Sequence, residues 1–321
     1  MVYLSAASTI SHQPAFGNPG FSDALVPLQA GSALVAPDYR QYVEAGLLRR
    51  MSKILRMSVA CAKDCLQQAG TEQPGAIVVG TGLGCLHDTE KFLNNATTIQ
   101  GLLPPTAFIQ STHNTIAGQI SLSIGNHEYN MTHTQNSLSF ENALLDAMLL
   151  AEEGTTDILV GAADESIELL ADVAANLGFM DQALLTSGAS FFVVTNQKPA
   201  NPLAEIVDVF SEAGVRDWKA ATSQFLAQHA WEPDQTGMVL LLAAGIEELN
   251  EMKKHFADMG ISPAQCVNLI DYSGVYPTAA AFGLHMAADL IHSGPASGNI
   301  LICNNLNKHN LGLIALRSIE A

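Results

Sequence analysis

Ser137 stands where a nucleophile could stand. The stretch NMTHTQNSLSFENALLDAMLLAEEGTTDILVGAADE, residues 130–165, passes from a short polar–apolar alternation into a helical pattern and then into a strand of small residues. Ser137 falls at the strand-to-helix corner, where a helix N-terminus favours developing negative charge. A serine hydroxyl still needs a base beside it to attack at neutral pH. His133 lies four residues earlier, but on the presumed strand it points away from or along the sheet, and no GxSxG elbow is present. The plainer reading is that Ser137 caps the helix, its hydroxyl accepting from an exposed backbone N–H, with Glu141 four residues on. His113, His127 and His309 make no HExxH or other ligand spacing and read as polar loop or interface residues. The turn GTGLG at 80–84 follows a strand and could approach a phosphate. It lacks both the GxGxxG spacing and an acidic ribose partner, so it reads as a structural turn. The cysteines are Cys61, Cys65, Cys85, Cys266 and Cys303, with no CxxC pair. Cys61 and Cys65, four apart on an apolar helix, read as core packing. Neither a metal nor a cofactor is expected.

The elements that must hold these residues alternate along the chain. VYLSAAST reads as a strand, followed by a polar, Pro/Gly-rich loop through Pro37. Leu47, Met51, Ile54, Leu55, Ser58, Val59, Ala62 and Leu66 recur at helical spacing, and Gly70 is a natural stop. GAIVVG is a buried strand, Pro104-Pro105 opens a loop, NTIAGQISLSIG is a helix and YNMTHTQ a short strand. SLSFENALLDAMLLAEEG is a helix, with TDILVGAAD and GASFFVVTN as strands after it. The second half repeats this rhythm. PLAEIVDVFSEAG and GMVLLLAAG read as strands, GIEELNEMKKHFADMG as a helix and QCVNLIDYSG as a strand. PTAAAFGLHMAADLIHSG reads as a helix, and NILICNN with LGLIALRSI as a closing hairpin. The alternation implies an α/β fold with a largely parallel sheet. Two similarly ordered halves, residues 1–200 and 201–321, imply an internal duplication within one compact unit.

Composition narrows the function classes. The 321 residues carry a net charge of −17 with only 14 Lys plus Arg, and no basic arm or stripe. Nucleic acid and anionic membrane surfaces are therefore not expected partners. With 48% hydrophobic and 14% charged residues, the core is ample and part of the surface is expected to be covered by another subunit. No apolar run is long enough to span a bilayer, and the N-terminus lacks a signal-peptide pattern. The expectation is a soluble, cytoplasmic protein.

Several blocks, in order, resemble a β-ketoacyl synthase, a condensing enzyme of the thiolase-like superfamily. VYLSAASTIS resembles the opening strand, RRMSKILRMSVACAKDCLQQAG the arginine-methionine helix, and GAIVVGTGLG the next strand and turn. AGQISLSIGNHEYNMTHTQNS resembles the segment leading to the catalytic cysteine, and GTTDILVGAADE the strand after the nucleophile helix. GASFFVVTN resembles the domain-closing strand, DYSGVYPTAAAFG the block carrying the catalytic lysine and second histidine, and NNLNKHN the asparagine-rich C-terminal loop. The implied architecture has two βαβαβαββ-type halves in α-β-α-β-α layers.

The resemblance also implies a degenerate site. A condensing enzyme holds the acyl chain as a thioester on cysteine and uses two histidines in decarboxylation. Here Ser137 falls at the cysteine, Tyr276 at the second histidine, Asp271 at the lysine and Ala244 at the first histidine. Tyrosine cannot serve as a neutral donor–acceptor imidazole. The chain is therefore expected not to condense acyl groups on its own. It is expected to resemble the chain-length factor, a silent subunit that pairs with an active, cysteine-bearing synthase and walls off its acyl tunnel. Phe108, Gln110, Thr112 and His113, then Asn130, Thr132, Thr134 and Gln135, are the implied tunnel and interface residues. Phe108 either gates the partner's pocket or packs in this chain's own core. Acyl carrier protein would be met mainly through the partner, because an acidic carrier is repelled by a chain at −17. An aryl polyene, flexirubin-type or other bacterial fatty-acid- or polyketide-like pathway is the implied setting. Two rivals stay open: a serine acyltransferase or hydrolase using Ser137 with His133 or Tyr276, and a structural homodimer with a degenerate pocket.

Overall fold

A computed structural model describes residues 1–176, 184–243, 245–293 and 298–319. The first half runs β1 (Val2–Ile10), α1 (Ala45–Leu48), α2 (Lys53–Ala69), β2 (Ala76–Gly80), α3 (Leu86–Thr98), α4 (Pro105–Gln110) and α5 (Thr115–Ile124). It continues through β3 (Tyr129–His133), α6 (Ser139–Glu152), β4 (Ile158–Asp164), α7 (Glu168–Asn176) and β5 (Gly188–Thr195). The second half runs β6 (Ala204–Ala213), α8 (Trp218–Gln228), β7 (Thr236–Ala243), α9 (Ile246–Asp258), β8 (Cys266–Asn268), α10 (Ile270–Ser273), α11 (Ala280–Ser293), β9 (Asn299–Asn305) and β10 (Asn310–Arg317).

The strands are hydrogen-bonded in the order β3-β2-β4-β5-β1-β6-β10-β9-β7-β8. The order β3-β2-β4-β5-β1 is repeated in reverse as β6-β10-β9-β7-β8, so each half has the same topology. The halves meet where β1 pairs with β6, through Val2↔Ile206, Tyr3↔Glu205 and Leu4↔Ala204. The sheet is mixed rather than largely parallel. β2 is parallel to β3 and β4, and β7 to β8 and β9, but every other pairing is antiparallel. The sequence misleads here because β4 and β5 are buried along their whole length. A strand buried on both faces reads as a continuous apolar run whichever way its neighbour points.

Strand alternation sorts the cores into layers. Val78, Val160, Phe192 and Val194 pack with α6 and α11 in a central core, joined from the other half by Leu240, Ile300, Ile302 and Ile314. Their neighbours Ile77, Val79, Leu159, Phe191 and Val193 face α2 and α5. Val239, Leu241, Leu301 and Cys303 face α8 and α9. Five layers result, α-β-α-β-α. Cys61 and Cys65 are fully buried in the α2 core, and the five cysteines are free.

One helical and one strand pattern are shorter than the spacing predicts. The run from Leu47 breaks at 49–52 before α2 begins at Lys53, although Met51 in the break is buried. QCVNLIDYSG gives only the three-residue β8 and then turns into α10.

Candidate functional site

The corner before α6 is built by backbone as much as by side chains. Asn136 has φ 55°, the left-handed region that asparagine tolerates better than most residues. A 3₁₀ turn at Asn136–Leu138 follows, so α6 starts at Ser139 with Leu138 at the cap position. Ser137 therefore does not cap the helix, contrary to the sequence reading. The left-handed residue and the tight turn move the helix start past it. Its hydroxyl, in a residue only 2% exposed, instead accepts from Asn310 Nδ2 at 3.1 Å. Ser139 does the local bonding, donating to Asn136 O at 2.7 Å and Thr81 O at 3.0 Å.

Under the corner lies a buried carboxyl. Asn304 Nδ2 donates to Ser137 O at 2.8 Å and to Glu141 Oε1 at 2.7 Å. Burial pushes the Glu141 carboxyl up to about 7, and the Asn304 hydrogen bond only partly offsets this. Among the described residues its Oε2 has no partner. Asp164, at the end of β4, is buried but well satisfied. It accepts from Thr81 Oγ1 at 2.9 Å, Gly82 N at 3.0 Å, Leu83 N at 2.8 Å, Thr278 N at 3.1 Å and Thr278 Oγ1 at 2.8 Å. Burial raises its carboxyl and these donors pull it back. The GTGLG turn thus binds a carboxyl group, but it is that of the protein's own Asp164. A Cβ at Gly82 would stand 2.4 Å from Pro277 Cβ, so the turn also needs glycine to pack against the Tyr276 block.

Ser137 and Tyr276 share the walls of a cleft of about 250 Å³, with Leu83, Leu170, Leu185 and Val275. Tyr276 is 3% exposed, and burial raises its phenol strongly, with Asp164 adding to the effect. Its hydroxyl has no partner among the described residues and lies against Gly188, where a Cβ would be 2.5 Å away. Asp271 is not part of this cleft. It is exposed on α10 and accepts from Asn268 Nδ2 at 2.9 Å. Ala244 lies outside the described residues. His133 faces away from Ser137's cleft: its Nε2 is 2.9 Å from Asp146 Oδ2 on α6, and Tyr129 also donates to Asp146 at 3.1 Å.

Most of the implied interface residues are exposed. Phe108 is 59% exposed, its ring tilted against that of Phe92 of α3 with centroids 5.3 Å apart, so it does not pack in this chain's core. Thr112, His113, Asn130, Thr134 and Gln135 are exposed, while Gln110 and Thr132 are half-buried. The His113 ring packs against Gly84 of the GTGLG turn, and Asn130 Nδ2 donates to Ala117 O at 3.2 Å. β3 pairs with β2 and ends the strand order. Leu122, Tyr129, Met131 and Leu149 are exposed around it. A free strand edge bordered by apolar side chains is a surface suited to another chain. The basic residues nearby divide. Lys53 Nζ donates to Ser187 Oγ at 2.8 Å and Arg56 Nε to Met51 O at 2.9 Å, whereas Arg49, Arg50 and Lys91 border an open cleft.

Asn304, Asn310, Glu141 and Asp164 carry the corner, yet no role was assigned to them from sequence. The signals were present. NNLNKHN is a polar run between two apolar strands, and Asp164 is an acid ending an apolar strand.

The β-ketoacyl synthase N-terminal domain family matches residues 29–176. No curated protein matches the chain. Among solved structures, the ishigamide ketosynthase/chain length factor is similar with TM-score 0.81 at 17% identity, over 99% of both chains. AntDE:AntF, a type II PKS acyl-carrier protein in complex with its ketosynthase, is similar with TM-score 0.79 at 15% identity, again over 99% of both chains. The ketosynthase ApeO in complex with its chain length factor ApeC, from Xenorhabdus doucetiae, gives TM-score 0.76 at 13% identity over 99% of this chain and 98% of that one. The chain is thus ketosynthase-like: residues 29–176 match the β-ketoacyl synthase N-terminal domain family, and the whole chain has the thiolase-like fold of these ketosynthase structures.

Proposed function

We propose that the chain is a non-catalytic, chain-length-factor-like subunit. It pairs with a cysteine-bearing β-ketoacyl synthase and shapes that partner's acyl tunnel. The observation that carries this reading is the state of Ser137. An amide N–H donates to its oxygen at 3.1 Å, and an amide donor cannot remove the hydroxyl proton. Tyr276, the other side chain of the constellation in the cleft, carries a phenol held protonated by burial. His133 is engaged with Asp146 rather than aimed at Ser137.

The exposed β3 edge and the Phe108 surface support the pairing, with Phe108 ending or gating the partner's pocket. Relatives of this fold include a ketosynthase with its chain length factor and a ketosynthase with its acyl-carrier protein. By analogy the partner here supplies the cysteine and histidines and receives the acidic carrier. A net charge of −17 disfavours carrier docking on this chain at long range. The setting is bacterial fatty-acid- or polyketide-type chain extension in the cytoplasm, aryl polyene or flexirubin-type synthesis being the narrower assignment. Among the described residues no helix is long and apolar enough to cross a membrane.

The test is co-purification with a cysteine-bearing ketosynthase, then intact-mass analysis after incubation with an acyl-carrier donor. A one-to-one complex acylated only on the partner's cysteine is the expected result. An acyl adduct on Ser137 would make this chain an acyltransferase in its own right.

A further inference from the structure

Ser137 is only 2% exposed although it lines a cleft of about 250 Å³. Part of its cover is the turn between β9 and β10, residues 306–309. Leu306 and Asn307, in that turn, line the same cleft. Asn310, where β10 begins, donates to Ser137 Oγ at 3.1 Å, and Asn304, near the end of β9, donates to Ser137 O at 2.8 Å. Both feet of the turn therefore stand on the Ser137 corner, and the turn crosses it as a strap.

The strap is tied in two ways. Its backbone is tied by neutral hydrogen bonds. Asn310 N donates to Asn307 O at 2.7 Å and Leu306 N to Asn304 Oδ1 at 3.2 Å, which closes the turn on itself. His309 O accepts from Gly214 N and, at 3.1 Å, from Val215 N, just beyond β6. Its tip is tied by charge. Lys308 Nζ pairs with Glu248 Oε1 on the first turn of α9. The lysine side chain is 70% exposed and the glutamate side chain 19%, so a half-buried acid receives a lysine that reaches it through solvent. Glu247 and Glu251 add to the negative field at Lys308. Neutral hydrogen bonds hardly respond to salt, whereas an exposed ion pair is screened by it. The tip is therefore where the strap can be released while its feet stay in place. Releasing Lys308 frees Asn307 beside it, and with Asn307 one wall of the cleft.

We propose that the β9–β10 turn is a strap closed over Ser137, and that the Lys308–Glu248 pair is the autoinhibitory contact that holds it shut. Loosening the pair opens the turn locally, without unfolding the chain, and gives solutes access to the Ser137 hydroxyl. This concerns access to the cleft alone and does not rest on pairing with a synthase. Failure to co-purify with one would leave the strap standing, and a strap that does not open would leave the pairing standing.

Ser137→Cys turns the covered hydroxyl into a thiol whose alkylation reports access. The native cysteines are free but buried and supply the internal control. The full-length variant is treated with iodoacetamide at pH 8, and each cysteine peptide is quantified by mass spectrometry. Adding Glu248→Gln or Lys308→Met should speed labelling of the new thiol about threefold, a modest factor because a largely exposed pair contributes little. Raising NaCl from about 0.05 M to about 1 M should speed the pair-intact protein similarly and change the two strap variants little. Lys219→Met, which breaks the Lys219–Glu251 pair on the same helix without touching the strap, should leave the rate unchanged. Lys308→Met alters a 70% exposed side chain and keeps the test valid if Glu248→Gln does not fold. Equal rates with and without the pair would overturn the assignment. So would an equal rise in Lys219→Met, a rise shared by the buried native cysteines, or labelling of the new thiol as fast as that of free cysteine.

Discussion

At the residue scale the site is a set of buried polar groups with unequal satisfaction. Asp164 has five donors and Glu141 has one side-chain donor. Glu141 should therefore dominate the pH dependence of stability. Its ordinary value of 4.5 stands for the unfolded chain, and burial raises the folded value to about 7. Between these values the native state holds a proton that the unfolded state has released, so stability falls as pH rises through this window. The full shift corresponds to roughly 3 kcal/mol at about 1.4 kcal/mol per unit. Glu141→Gln keeps an acceptor for Asn304 and cannot ionise. Urea unfolding should show wild type losing stability between pH 5 and pH 8 and Glu141→Gln nearly flat across that range; parallel curves would refute the assignment. Tyr276→Phe should raise stability by about 1 kcal/mol, because it deletes a buried hydroxyl without a partner among the described residues. A fall of that size in thermal unfolding would show that the hydroxyl is bonded. Sequence comparison located Ser137 and Tyr276 together, because both lie in contiguous blocks. It could not show that Ser137's hydroxyl goes to Asn310, 173 residues away. The capping inference failed for a local reason: a left-handed Asn136 followed by a 3₁₀ turn leaves no periodic signature.

At the element scale, strand and helix identity was legible wherever burial had a clear period. β1, β3, β6, β7, α9, α11 and the β9–β10 hairpin all stand where the patterns put them. Pairing direction was not legible, and neither was the break ahead of α2, where Met51 is buried without being helical. The surface formed by α4, α5 and β3 was legible only through the resemblance, since nothing in a single sequence separates an exposed apolar residue from a buried one. Phe108, Ile109 and Leu122 are 59%, 65% and 78% exposed, which is more apolar exposure than a free surface normally gathers in neighbouring helices. If this surface walls the partner's tunnel, Phe108→Ala removes an aromatic wall at little cost to this chain's own fold. The loss is limited to the contact with Phe92, worth at most about 1.5 kcal/mol. The expected outcome is longer products from the reconstituted pair, read by mass spectrometry, with a thermal midpoint for the free subunit shifted by only a few degrees. Unchanged product length with intact pairing would remove Phe108 from the tunnel.

At the scale of the whole molecule, the repeated topology raises the question of whether residues 1–200 and 201–321 are separable. We propose that they form one compact unit, because they share a core. α6 from the first half and α11 from the second lie in the same central core, sandwiched between strands of both halves. Phe140, Leu144, Phe282 and Leu284 are fully buried there. Each would lose roughly 1.5–3 kcal/mol of burial if the facing half were removed, a sum comparable with the whole stability of an ordinary domain. The polar network crosses the same boundary: Asp164 holds Thr278, Asn304 holds Glu141 and Asn310 reaches Ser137. Removing the second half would also take the Thr278 and Asn304 donors away from Asp164 and Glu141. Expressed alone, residues 1–200 should therefore show no cooperative thermal transition and should bind a hydrophobic dye. Co-expressed as separate chains, the two halves should recover a cooperative transition. A sharp, dye-free transition from either half alone would mean that the duplication still encodes two independent domains. In that case the shared central layer would be an interface between them rather than a common core.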